Sequence, residues 1–225
     1  MEVELVDYMG DDVRVAEAAR VSFDNADGAG VGAQVVEENG RKRRRTGERD
    51  AKLIRYLGKH NHWTPFAHIQ VTFMITAPIY VARQLFKHTV GLVCNEVSRR
   101  YVDTPPQTYV PDVWRQRSKD KKQGSHLTDT VQLSEQASAL FAEAMQKSQE
   151  AYNALIAEGV APEQARGVLP LATMTSWYWT GSLAAFARVC KLRMSPDAQA
   201  ETRMVAVEID KHMREKYPES WAALV

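Results

Sequence analysis

Positions 83–101 read RQLFKHTVGLVCNEVSRRY, a stretch dense in cationic and hydrogen-bonding groups. At helical spacing Arg83 and Lys87 are i,i+4 neighbours, as are Gln84 and His88. Gln84, Lys87 and His88 therefore crowd one end of one helix face. The polar loop that follows adds Asn95, Glu96, Ser98, Arg99 and Arg100. Guanidinium groups grip phosphate in bidentate fashion, and Ser, Asn and Glu side chains read polar edges. The set suits a ligand that carries a phosphate and a polar heterocycle. The competing reading is a solvated basic face, because charges usually stay outside.

The elements that must hold this stretch follow from patterning. Residues 3–8 alternate apolar and polar, as a strand does. Asp11 or Asp12 caps a helix through about Val21, with Ser22 at its exit. Residues 24–39, rich in Gly, Ala and Asp, read as a flexible loop. The run 41–45 reads as a solvated or phosphate-facing loop; a nucleic-acid-binding arm is less favoured because no aromatic residue is interleaved to stack on bases. Asp50 opens a helix with Leu53, Ile54 and Leu57 on its apolar face. His60, His62 and His68 surround Thr64-Pro65-Phe66; their spacing fits no standard closed zinc site, so no metal is expected.

Residues 69–76 alternate and are β-branched, a strand with one buried face. Pro78 starts a helix over 79–88 that delivers the polar loop. Residues 103–117 hold three prolines and read as extended, and 118–129 as polar and exposed. A long amphipathic helix runs from Asp129 or Ser134 to Glu158, with Ala137, Leu140, Phe141, Ala144 and Tyr152 on its inner side. Pro162 starts a short helix carrying Arg166, and 169–179 is a strand or a buried helix. Ser182 caps a helix through Arg193, and Pro196 or Asp197 opens a last helix to about Lys216.

Bulk properties narrow the class. With 225 residues and 44% hydrophobic content, one domain with a sizeable core is expected. A formal net charge of +1 excludes a global polyanion binder, so any grip on phosphate is local. The 2 cysteines, Cys94 and Cys190, form no C-x-x-C pair and suit a reducing compartment. No run approaches the ~20 apolar residues of a bilayer span, and the start lacks a signal-peptide pattern, so a cytoplasmic protein is the expectation.

Lys87-His88-Thr89, then Asn95-Glu96-Val97-Ser98-Arg99-Arg100-Tyr101, resembles the hallmark motif of the flavin-dependent thymidylate synthases, which begins Arg-His-Arg and ends in Ser-x-Arg. Further segments agree in order: 18–23, 62–68, 165–171, and Leu192-Arg193 followed by Ala198-Gln199. The resemblance implies a single α+β domain over 1–225, with an antiparallel or mixed central sheet flanked by helices and a non-Rossmann FAD site. It implies reductive methylation of dUMP to dTMP, with 5,10-methylenetetrahydrofolate as carbon donor and NADPH as reductant through FAD. It also implies a homotetramer with FAD across subunit interfaces, no membrane and no nucleic-acid partner. The absence of G-x-G-x-x-G and of a P-loop agrees with a dinucleotide held by side chains.

By the same resemblance Arg193 is the catalytic cation beside N3 and O2 of uracil, making C5 nucleophilic without a covalent bond. The dUMP set is Gln84, Lys87, Glu96, Val97, Ser98, Arg99, Arg100, Arg166 and Arg193. The FAD set is Ser22, His62, Thr64, Lys87, His88, Thr89, Val90, Asn95, Glu96, Ser182 and Arg188. The chain departs from the family pattern at Lys87, Thr89 and Ala67, at a loop about one residue longer, and at Ser182 and Arg188. Lys87 cannot make the bidentate fork of an arginine, and Arg188 is placed to restore the charge lost at Thr89. Two rivals are a flavin-free synthase with Cys94 as nucleophile and a nucleic-acid-binding protein built on 41–45.

Overall fold

A computed structural model describes residues 1–22, 34–38, 40–102, 104–117, 125–130 and 134–225. The elements run β1 (Glu2–Met9), α1 (Asp12–Val21), β2 (Gln34–Glu38), β3 (Arg41–Arg45), α2 (Glu48–Lys59), a 3-10 turn (Thr64–His68), β4 (Gln70–Pro78), α3 (Ile79–Leu85) and β5 (Leu92–Glu96). They continue with β6 (Arg115–Arg117), β7 (Ser125–Thr130), α4 (Ser134–Ala157), α5 (Pro162–Ala165), a second 3-10 turn (Arg166–Val168), β8 (Met174–Ser182), α6 (Leu183–Arg193), α7 (Ala200–Lys216) and α8 (Pro218–Leu224). The main sheet has the order β1-β4-β8-β5, with every pairing antiparallel. The fold is thus α+β, as expected. No helix among the described residues is long and apolar enough to cross a membrane.

Period-two alternation puts Val71, Phe73 and Ile75 of β4 on one face beside Trp177 and Trp179 of β8, all buried. Helix α6 packs beneath them. Phe186 meets Phe73 and Trp179 edge-on, with ring centroids 5.2 and 5.3 Å apart, a geometry that aligns ring edge with ring face. Leu183 through Cys190 are buried except Arg188. A helix apolar nearly all round belongs in a core, and α7 covers its other side with Val205, Ile209 and Met213. Ser182 caps α6 by accepting from the Ala185 amide at 3.2 Å.

Both candidate caps near the N-terminus are used, at different helices. Asp11 accepts from the Arg14 amide at the start of α1. Asp12 reaches across the fold to accept from the amides of Glu219 and Ser220, closing the start of α8. That last helix was not expected from the sequence; Trp221 anchors it, fully buried.

Several sequence expectations need correction. The basic run is a strand, not a loop: β3 pairs with β2, which also replaces part of the expected 24–39 loop. Residues 24–33 and 39 of that loop, and 118–124 of the expected polar stretch, lie outside the described residues; 125–130 is strand β7, paired with β6. The inner side assigned to α4 is largely open. Tyr152 is buried, but Leu140 is 62% exposed and Ala144 is exposed. Within this chain α4 packs on the short α5 and the turn after it, too little surface to cover a 24-residue helix.

The outer face of the sheet is also open. Thr72 and Thr180 share a hydrogen bond of 2.9 Å, and Thr76 and Ser176 one of 2.8 Å. Tyr178 and Val93 on that side are 49% and 69% exposed.

The close approach of β5 to β8 needs Gly181, because a Cβ there would overlap the Gly91 carbonyl oxygen and the Leu92 side chain. Gly181→Ala should push β5 off the sheet and lower stability by about 1–3 kcal/mol, read as a drop in urea midpoint with m unchanged; an unaltered midpoint would show that β5 has slack.

Candidate functional site

Helix α3 is the pivot. Pro78 precedes it with its ring-fixed backbone, and the helix ends at Leu85, earlier than the expected His88. The chain then turns: the His88 amide donates to the Leu85 carbonyl at 2.9 Å. Gly91 sits at φ +72°, a left-handed position that glycine adopts without penalty, and launches β5. Asn95 and Glu96, expected in a loop, therefore lie on an edge strand held by the backbone of β8.

On one side of α3 stand Gln84, His88 and Arg193. Arg193, the last residue of α6, donates from Nε to His88 Nε2 at 2.9 Å and from Nη2 to the Gln84 carbonyl at 3.2 Å. An accepting Nε2 means a neutral imidazole with its proton on Nδ1. Burial, then Arg193 and Arg188, all hold the His88 pKa below its ordinary value. Burial also lowers the Arg193 pKa, although the guanidinium remains a cation.

The other side, where Ile79, Ala82, Arg83 and Phe86 share a face at helical spacing, borders a cavity of about 290 Å³. Glu96, Val97, Arg99, Arg166, Met174 and Thr175 complete its walls; Gln84, His88 and Arg193 do not line it. The Glu96 carboxylate accepts from the Thr175 hydroxyl at 2.7 Å. Ser98 Oγ accepts from the Arg100 amide at 3.3 Å, and Arg100 faces Glu163 at 3.6 Å. Arg166 Nε donates to the Glu163 carbonyl at 3.3 Å, and Arg99 to the Thr104 carbonyl. The nucleotide residues expected from sequence thus fall into two groups on opposite sides of one helix.

The residues expected at FAD are spread wider. Arg188 donates to the Val90 carbonyl at 2.7 Å, beside the loop that carries Thr89. Lys87, Thr89 and Asn95 are exposed, and their side chains make no hydrogen bond among the described residues. Such unengaged donors have the chemistry to meet a pyrophosphate or an amide-bearing ring. Ser182 is different: its hydroxyl is buried and committed to the α6 cap. Ser22 ends α1, while His62 and Thr64 are exposed around the first 3-10 turn, which packs against both α1 and α6. The His62 ring lies near-parallel to Tyr56, centroids 6.3 Å apart.

Neither rival gains from the geometry. Cys94 is exposed on β5, and burial followed by Glu96 pushes its thiol up, away from the thiolate a nucleophile needs. Arg44 of the basic run is engaged by Asp11 and Glu17, which accept from all three of its guanidinium nitrogens.

Gln199, which touches Gln84, and Glu201 and Arg115, which follow it in a line, stand out only in the structure. The only signal was the Ala198-Gln199 match, to which no role attached.

With its folded pKa below 6.5, His88 takes up its proton later than the unfolded chain does. Its contribution to stability is full above pH 6.5 and is lost as the pH falls below that value. In Arg193→Ala the ring should titrate higher than in the parent but still below 6.5, because burial is the larger cause. Ring-proton NMR titration checks this, and an unchanged midpoint would mean the two groups do not interact.

Comparison with known proteins sets these residues in context. The family described as "Thymidylate synthase complementing protein" matches residues 4–219. A flavin-dependent thymidylate synthase of Thermus thermophilus is 40% identical over 221 residues, covering 98% of this chain and 74% of that one. One from Thermosipho africanus is 37% identical over 223 residues, covering 99% and 90%. Among solved structures, the UMP/dUMP methylase PolB from Streptomyces cacaoi bound with 5-Br dUMP superposes with a TM-score of 0.83 at 30% identity, covering 99% of this chain and 93% of that one. A match that runs the length of the sheet, α3 and α6, and takes in both groups of residues, means that the chain belongs to the thymidylate synthase complementing protein family.

Proposed function

We infer that the chain is a flavin-dependent thymidylate synthase that converts dUMP to dTMP by reductive methylation. The observation that carries this reading is Arg193, fixed at the end of α6 against His88 and Gln84 within a full-length family match. A permanent cation beside N3 and O2 of uracil favours the ring deprotonated at N3, and that electron-rich ring attacks the methylene carbon through C5. No enzyme nucleophile is required, in keeping with a Cys94 thiol whose pKa is raised.

The dUMP phosphate and sugar fall to Ser98, Arg99, Arg100 and Arg166, with Glu96, Val97, Gln84 and Lys87 completing the set. Lys87, His88, Thr89, Val90, Asn95, Glu96 and Arg188, together with Ser22, His62 and Thr64, would hold FAD. Ser182 serves that site indirectly, through the helix it caps. Bound there, FAD would supply the redox chemistry, with NADPH as reductant and 5,10-methylenetetrahydrofolate as the source of the one-carbon unit.

Residues 1–225 act as one domain, and the working assembly is a homotetramer. Three features support it: the open side of α4, the open outer sheet face, and the separation of Arg99 and Arg166 from Gln84 and Arg193. In the assembly the Arg99–Arg166 cavity of one copy faces the Arg193 group of another.

Purified protein should take up FAD and release tritium from C5-labelled dUMP when folate and NADPH are both present. Arg193→Ala should lose most turnover, by about a hundredfold or more, and Cys94→Ala should retain it. Co-expressed Arg166→Ala and Arg193→Ala chains should regain activity that neither homo-oligomer has. A colourless protein indifferent to FAD would sink the reading; absence of complementation would remove only the shared site.

A further inference from the structure

Behind Gln84 runs a line of side chains that the reaction above does not use. Arg115 of β6 pairs with Glu201 of α7, whose side chain is 4% exposed, and Arg115 Nε donates to Ser125 Oγ at 2.8 Å. Glu201 Oε2 accepts from Gln199 Nε2 at 3.0 Å, and Gln199 Oε1 accepts from Gln84 Nε2. We propose that Arg115, Glu201 and Gln199 form a polarity relay that turns the side-chain oxygen of Gln84 toward the nucleotide, so that Gln84 accepts a hydrogen bond from a neutral donor on the substrate.

The direction of every bond follows from its buried end. An ionised carboxylate only accepts. Burial pushes the Glu201 pKa up, but the bonds from Arg115, from a backbone amide and from Gln199 outweigh it, leaving the group below its usual value and charged. Gln199 must therefore spend its NH₂ on Glu201 and present oxygen to Gln84. Gln84 in turn must present one N–H to Gln199, which fixes the side of the amide on which its oxygen, an acceptor, lies. Without the relay the amide could rotate by half a turn and offer a donor instead, because the two ends have nearly the same shape.

The relay rests on the nucleotide site proposed above, and it adds a selectivity that site would otherwise lack. A fixed acceptor welcomes a sugar hydroxyl of the nucleotide, and it is left unpaired by a nucleotide that lacks that donor. The backbone carbonyl of the same Gln84 holds Arg193. Arg115, Gln199 and Glu201 are thus positioning residues, and the β6–β7 hairpin becomes part of substrate selection.

The test measures binding of dUMP and 2′,3′-dideoxy-UMP to FAD-loaded protein by calorimetry. Gln199→Leu and Glu201→Gln should each weaken dUMP about tenfold, the worth of one directed hydrogen bond, raising KM with kcat little changed. Gln84→Ala should lose as much, and Gln84→Ala/Gln199→Leu no more than Gln84→Ala alone. The parent should bind 2′,3′-dideoxy-UMP more weakly than dUMP, and Gln199→Leu should no longer discriminate against it. Arg115→Lys, which keeps the charge, should stay near the parent where Arg115→Leu does not. If Glu201→Gln fails to fold by circular dichroism, Gln199→Leu carries the test alone. Parent-like dUMP affinity in Gln199→Leu, or additive losses in the double variant, would overturn the relay; a parent protein that binds no dUMP at all would remove the nucleotide site itself.

Discussion

The burial of α6 against β4 and β8 is the constraint on which the site depends. Phe73, Trp179 and Phe186 lock the helix to the sheet, and Ser182 fixes where it starts. From that start, helical geometry alone determines where the two cations emerge. Arg188 comes out beside Val90, and Arg193 beside His88 and Gln84. Neither arginine has to find its place by chance, since both are carried there by apolar packing. A site built on a rigid buried element holds its groups more tightly than a loop would.

Much of this was legible in the residues. The strands now β1 and β4 showed clean alternation because each has one face on the core. The Ser182 cap and the run to Arg193 were plain because the helix has both a start signal and an apolar interior. β8 stayed ambiguous between strand and buried helix because its aromatics and threonines fit either period. β5 was missed for a clearer reason: Val93, Cys94, Asn95 and Glu96 are exposed, so the strand has no apolar pattern of its own and exists through backbone pairing with β8. The faces of α4 were misread because amphipathicity says which side wants cover, not whether the same chain supplies it.

The site was legible as a list and not as a geometry. Resemblance named the residues, but their division between two sides of α3 depends on α3 ending at Leu85 and on β5 joining the sheet. The line from Arg115 through Glu201 and Gln199 to Gln84 joins positions far apart in sequence. No spacing rule covers such a line; it arises when a buried carboxylate takes the partners that packing brings within reach.

The edge position of β5 carries a further consequence. One side of that strand is secured by β8, and the other has no strand beside it among the described residues. Segments paired on one side only, with exposed side chains, open at lower free energy than the interior they border. Warming should therefore dissolve the ligand-bearing rim while the tryptophan-lined interior still stands, so the catalytic lifetime would end before the protein as a whole melts. A bound nucleotide or flavin leaning on that rim would bring the two events closer together.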